Sequence, residues 1–393
     1  MEKKFVPAGI ILINEKLLVW GTYDTGKPRT RILIAASRLV FGEVIECHRD
    51  VWGGVEDKSQ LTGVRAKLGI LTKWLFAYPV LIFRYLRAPK HNLVLIPYMG
   101  IIDIIILYPF ARMRGAKICL DIFISIYDTT VIDRELLNKE GIIAKLLYYV
   151  EHAAINLADI RLIDTWSHAK YIEELFGMPA DSVQSVWVGM ESEKFPRKIF
   201  SSPSQESPER VKVLFYGQFI PLHGIDVIVE AAELLEQSGA CGVEWILIGK
   251  GQLQTEIDEM IRAKVLNTIT RIEWVPYDEL IENIVNADIC LGVFNAKGKS
   301  LRVIPNKVFQ ILAAGTALIT ADSPAMNELI SEETPGIMLV RPGSASDLAE
   351  AVLKMSKQLS QQTLDTSNMP LIDSRVVAEQ FRDVVERSFQ TPD

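Results

Sequence analysis

With 393 residues, 49% of them hydrophobic and 23% charged, and a formal net charge of −7, the chain exceeds what one ordinary core accommodates, so two domains are expected. The charge is uneven: residues 1–200 are net positive and the remainder net negative, and no Asp or Glu falls between Asp57 and Asp103, where Lys58, Arg65, Lys67, Lys73, Arg84, Arg87 and Lys90 lie. Cys47, Cys119, Cys241 and Cys290 have neither metal-ligand nor redox spacing and sit mostly in apolar runs, which suits reduced, buried thiols in a cytosolic protein.

The N-terminal run MEKKFVPAGIILINEKLLVW is broken by Asn14, Glu15 and Lys16 and lacks a small-residue cleavage site, so no signal peptide is expected. KLLVWGTYD reads as a first strand, KPRTRILIAASRLV as a helix after a turn at Gly26, and GEVIECH as a second strand. Next comes VRAKLGILTKWLFAYPVLIFRYLRAPKHN, where cations interleave with Trp74, Phe76, Tyr78, Phe83 and Tyr85. Lys73 and Pro79 interrupt it, so a membrane span is not expected. Residues 64–91 suit either a surface resting on anionic lipid or a core helix whose cations snorkel.

HNLVLIPYMG and AKICLDIF continue the strands, and Gly100 and Asp103 divide NLVLIPYMGIIDIIILYPF into a buried strand, a turn and a helix. IIAKLLYYVEHAAINLAD is an amphipathic helix and IRLIDT another strand. The proline- and serine-bearing residues 195–210 form the linker candidate. A second series follows: strands VKVLFYG, VEWILIG, RIEWVP, ICLGVF, TALIT and GIMLV alternate with helices DVIVEAAELLEQSG, QLQTEIDEMIRAKV, YDELIENIVNA, PNKVFQILAAG and SASDLAEAVLKMSKQL. Such alternation predicts an α/β protein with parallel sheets covered on both faces. Two Rossmann-like domains would then bind ligands in a cleft between the carboxyl ends of their strands.

The strand-to-helix turn GQFIPLHG offers backbone N–H groups to an anion, although any β/α protein has such turns. The succession FYGQFIPLHG, WILIGKGQLQTEI, IEWVPYDELIENIVNADICLGVF and IPNKVFQILAAG carries more weight than any one piece. It resembles the nucleotide-sugar domain of GT-B glycosyltransferases, most closely the retaining family-four (group 1) enzymes. ADIRLIDTWSHAKYIEELFGMPADSVQSVWVGMESEKFP is similar to the segment closing the family's first domain, and WGTYDTGKPRTRILIAASRL to its first strand, loop and helix. SRVVAEQFRDVVERSF looks like the last helix, which crosses back. The resemblance therefore implies a GT-B fold with a first domain at 1–205, a nucleotide-sugar domain at 206–370, and helix 371–393 packing back on the first.

By this resemblance the donor diphosphate lies near Gly217, Gln218, His223, Gly224, Gly249 and Lys250, and the base near Trp274 and Val275. Trp274 and Tyr277 suit ordinary packing equally well. The chain departs from the family pattern: the usual Arg and Lys fall on Gln218 and His223, and the paired glutamates on Arg302 and Gln310. The expected compensation is Lys307, placed in the first helical turn after an extended Pro305 and an Asn306 N-cap, acting with Arg302. Gln310 would keep a hydrogen bond to the ribose; a merely solvated Lys307 is the alternative.

In the first domain, Gly21, Thr22, Asp24 and Arg29 form a loop suited to donor phosphates or acceptor. Asp121 and Asp128 flank the end of a strand where the family places a His beside the donor sugar, so they are the catalytic candidates, with a helix cap or an ion pair to Arg134 as the alternative. There is no Asp-x-Asp metal pair, and the resemblance implies metal independence, with the nucleotide sugar as substrate and no cofactor. The expected activity is sugar transfer to a glycan or lipid-linked acceptor at the cytoplasmic face of an anionic membrane, with no nucleic-acid partner. A scaffold member of a glycosyltransferase assembly and a nucleotide-sugar 2-epimerase are the alternatives.

Overall fold

The computed structural model describes residues 13–52, 64–198, 210–240, 242–330, 334–361, 364, 366 and 369–390. The chain forms two compact units, Met1–Gly189 with Asp373–Asp393, and Met190–Ile372. Of the expected linker, residues 199–209 lie outside the described residues, as do Lys58 and Cys241.

The first unit is built on six parallel strands: β1 (Ile13–Gly21), β2 (Phe41–His48), β3 (Leu93–Ile96), β4 (Lys117–Asp121), β5 (Ile160–Ile163) and β6 (Gln184–Ser185), in the order β2-β1-β3-β4-β5-β6. LVLI of β3 is buried on both faces, as a central strand covered by helices must be. The helices are α1 (Pro28–Val40), α2 (Val64–Arg87), α3 (Ile101–Met113), α4 (Ile142–Asn156) and α5 (Trp166–Phe176). Pro28 starts α1, where its missing N–H costs nothing. The C-terminal helix (Ser374–Gln390) belongs to this unit, with Phe381 fully buried against Phe41.

The second unit repeats the plan with β7 (Val211–Tyr216), β8 (Val243–Ile248), β9 (Ile269–Ile272), β10 (Ile289–Leu291), β11 (Ala317–Ala321) and β12 (Ile337–Val340), all parallel, in the order β12-β11-β10-β7-β8-β9. Its helices are α6 (Ile225–Gln237), α7 (Gln254–Ala263), α8 (Tyr277–Asn286), α9 (Asn306–Ala314), α10 (Met326–Leu329) and α11 (Ala345–Ser360); the C-terminal helix is α12. Two expectations are corrected. The strand read in RIEWVP is Ile269–Ile272, so Glu273, Trp274 and Val275 follow it. Pro305, with extended backbone, is the N-cap of α9, and Asn306 is already helical.

In each unit the chain steps from its first strand to one side and later returns to the other. This puts the topological switch between β1 and β3 in the first unit and between β7 and β10 in the second. Ligands of open α/β sheets bind outside the carboxyl ends of the strands at such points. Among the described residues no helix is long and apolar enough to cross a membrane.

Candidate functional site

At the second switch point the loops after β7, β8 and β10 interlock through glycines. Gly217 and Gly249, with φ of 138° and 146°, directly follow β7 and β8, and a Cβ on Gly249 would lie 1.8 Å from the Gly217 carbonyl oxygen. Gly224, at φ 61°, opens α6, and its Cβ would lie 2.6 Å from the Asn295 backbone nitrogen on the loop after β10. Only glycine allows these approaches. The product is a tight, backbone-lined rim that leaves the α6 N-terminus without a side-chain cap.

Lys307, in the first turn of α9, reaches this rim. It is buried, its Nζ has no hydrogen-bond partner among the described residues, and the amine stands 3.8 Å from the Phe215 ring centroid. A Cβ on Gly217 would lie 3.2 Å from both Lys307 Nζ and His223 Cε1, which puts amine, imidazole and glycine turn around one point. Burial holds the amine well below the ordinary lysine range, with the Cys290 thiol acting weakly the other way. The alternative of a solvated Lys307 is thereby corrected: apolar neighbours on β7 and α9 enclose it.

The remaining donor-side candidates divide into two groups. His223 is buried, its Nδ1 against the Gln218 carbonyl oxygen, so Gln218 contributes backbone here while its side chain is exposed. Gln310 accepts a hydrogen bond from the Tyr216 hydroxyl at 3.0 Å, which occupies its carbonyl and leaves the amide N–H groups as what it offers. Arg302 closes the helical turn Gly298–Leu301 and is partly exposed, as is Asn306. Lys250 is exposed after β8. Trp274 is 61% exposed while Val275 is buried, so Val275 is packed and Trp274 is not.

At the first switch point the expectations need more revision. Gly21 and Thr22 do end β1, but Asp103 of α3 occupies the turn: it accepts from the Thr22 backbone N–H at 2.7 Å, the Thr22 hydroxyl at 3.0 Å and the Tyr78 hydroxyl at 2.8 Å. Asp24 caps its own turn by accepting from the Gly26 N–H. Arg29 is fully buried rather than facing a ligand; its guanidinium holds Asp121 at 2.8 Å and donates to the Val186 and Trp187 carbonyls. Asp121, pushed up by burial and only partly drawn back by Arg29, is thus closed off, with Arg29 as its ion-pair partner. Asp128 is buried too, accepting from the Tyr171 hydroxyl at 2.8 Å.

Comparison with known proteins follows the same division. Residues 210–358 match the family model described as glycosyl transferases group 1. The matched stretch is about two-fifths of the chain and is similar to a group 1 glycosyltransferase domain. Among curated relatives, the amylovoran biosynthesis glycosyltransferase AmsK of Erwinia amylovora is 27% identical over 194 residues, 49% of this chain and 46% of that protein. The chitobiosyldiphosphodolichol beta-mannosyltransferase of Candida albicans is 22% identical over 66% of this chain and 58% of its own. The matches span about half the length of these curated relatives. Sucrose-phosphate synthase from Thermosynechococcus elongatus superposes over 96% of this chain and 95% of its own at a TM-score of 0.62 and 16% identity. Anabaena HepE in complex with UDP-glucose covers 96% of this chain and 98% of its own at 0.55 and 13%. Both sheets and their helices are those of the GT-B fold.

Two residues that were not among the site candidates shape the second unit and the first. Arg271 of β9 donates to the Leu247, Ile272 and Gly249 carbonyls, pairs with Asp258, and lies 4.2 Å over the Phe219 ring, bracing the second glycine turn. Its signal was a lone arginine in a strand-like run. Asp103 was read only as a break in an apolar run, although a single carboxylate there demands partners. Among the described residues no three His, Cys, Asp or Glu side chains group as a metal centre.

Proposed function

We propose that the chain moves a sugar from a nucleotide-diphosphate donor to a lipid-linked or polysaccharide acceptor in cell-surface glycan synthesis, with retention of configuration and without a divalent metal. The observation that carries this reading is the Lys307 amine, buried, lacking a hydrogen-bond partner among the described residues, and close to the Gly217 turn of the second unit. A donor diphosphate there meets the amine, the backbone N–H groups of the glycine rim and the positive N-terminus of α6. The relatives favour polysaccharide and lipid-linked products, and UDP, held by HepE, is the first nucleotide to try.

Thermal unfolding in the presence of UDP-, GDP- and ADP-sugars tests it. One donor at a hundredfold excess over its Kd should stabilise by about 2.7 kcal/mol. Lys307→Ala should weaken that donor roughly tenfold to a hundredfold, the worth of a charge-assisted hydrogen bond; unchanged affinity refutes the assignment. A non-catalytic binding role is favoured by one observation, the closure of Asp121 by Arg29. Release of free nucleotide from the donor without acceptor decides for transfer, and interconversion of the sugar decides for an epimerase.

The acceptor, on this reading, is met at the inner face of an anionic membrane. Support comes from α2, which exposes Leu75, Phe76, Phe83 and Leu86 beside exposed Lys73, Arg84 and Arg87, with no carboxylate along it. The start of α4 adds Ile142, Ile143, Leu146 and Tyr149, all more than 60% exposed. Apolar side chains rimmed by cations suit an interfacial seat. Flotation with vesicles containing phosphatidylglycerol should retain the protein, and flotation indifferent to the anionic lipid contradicts this seat.

A further inference from the structure

We infer that the donor enters this site together with a proton, which the Lys307 amine takes up. The inference rests on the donor reading above and goes beyond it in stating the protonation state on either side of binding.

Consider what surrounds Nζ before a ligand arrives. From β7 it meets the face of Phe215 at 3.8 Å and the ring of Tyr216 at 5.7 Å, whose hydroxyl is turned to the Lys307 carbonyl and Gln310. On β10 lies Cys290, whose thiol acts on the amine electrostatically and is itself held up by burial; Lys198 and Asp288, which pair with each other at 4.0 Å, act on that thiol in turn. From the turn before α6 it meets His223, which is occupied with the Gln218 carbonyl. Among the described residues no carboxylate acts on the amine, and no acceptor atom hydrogen-bonds it.

An ammonium there forgoes its hydration for one aromatic face. A cation–π contact returns less than burying an unpaired charge costs. The neutral amine therefore wins in the free protein, in agreement with the downward direction of its pKa. A diphosphate diester at the Gly217 turn brings two negative charges and acceptor oxygens to the same point, and the balance reverses. The proton comes from solvent and stays on nitrogen while donor is bound; no other bond changes. By linkage, donor affinity falls tenfold per pH unit between the free and bound pKa of the amine, the sign expected when the complex holds the extra proton.

Titration calorimetry with the nucleotide sugar that stabilises most among UDP-glucose, GDP-mannose and ADP-glucose, at about pH 8 in phosphate and in Tris, counts the protons from the buffer dependence of the heat. These diesters exchange no proton of their own near neutrality. The expected result is uptake of close to one proton per donor in the native protein. His223→Asn should keep it and Lys307→Met should lose it. Binding without uptake, uptake surviving in Lys307→Met, or uptake lost in His223→Asn overturns the inference; if Lys307→Met binds too weakly to measure, the His223→Asn arm decides. Absence of both heat and thermal stabilisation with all three sugars overturns the donor reading itself, and this inference with it.

Discussion

The two switch points of this chain share a topology and differ in how their buried charges are settled. In the first unit Arg29 and Asp121 neutralise each other, and Asp103 takes three hydrogen bonds from Thr22 and Tyr78. In the second, Lys307 is also buried, yet its amine has no hydrogen-bond partner among the described residues. A satisfied cluster rigidifies; an unsatisfied one is costly unless a ligand completes it. The first unit thus holds its loops in place with internal bonds, while the second keeps an amine in reserve.

Breaking the paired side should have the largest effect. Arg29→Ala leaves Asp121 buried without its counter-ion and should cost about 3–5 kcal/mol in urea unfolding. The double variant Arg29→Met with Asp121→Leu should recover most of that loss, because no charge is left stranded. Asp103 comes next. Burial raises its pKa to about 6 against three opposing hydrogen bonds. Its unfolded-state value is lower, so the stabilisation is complete below about pH 4 and is lost as pH rises through about 6. That fall should amount to about 3 kcal/mol, and Asp103→Asn should lack it in unfolding midpoints measured across the range.

The glycine interlock predicts a smaller and local effect. Gly249→Ala forces a Cβ onto the Gly217 carbonyl in a left-handed backbone and should cost about 1–3 kcal/mol while abolishing nucleotide-sugar stabilisation. Retained donor binding in this variant would show that the two turns are not the seat. The smallest effect belongs to the exposed helices: Phe76→Ser or Ile143→Ser should change stability by no more than about 0.5 kcal/mol but reduce vesicle flotation.

Much of the fold was legible because most strands are short apolar runs bounded by turn residues, and most helices carry a 3.6-residue pattern. Lys307 stood out for a physical reason as well, a lysine in an otherwise apolar helix. Its enclosure was not legible, since it depends on Phe215, 92 residues away in sequence and brought over only by the β7–β10 pairing. The same limit hid the Arg29–Asp121 pair, whose members also lie 92 residues apart and which turned two expected ligand groups into each other's partners. RIEWVP misled because its apolar content continues past the last ladder residue, Ile272. The N-cap of α9 was misplaced by one residue because Asn is the better capping side chain, whereas Pro305 fixes the extended backbone that a helix start needs.

The central claim is that Lys307 is kept at a cost to the free protein for the sake of the donor. The most direct measurement is denaturant unfolding of the native protein and Lys307→Met, each with and without saturating nucleotide sugar. The account predicts that Lys307→Met matches or exceeds the native protein without ligand and gains about 2 kcal/mol less from the donor. A variant that is less stable without ligand yet gains as much from the donor would contradict it.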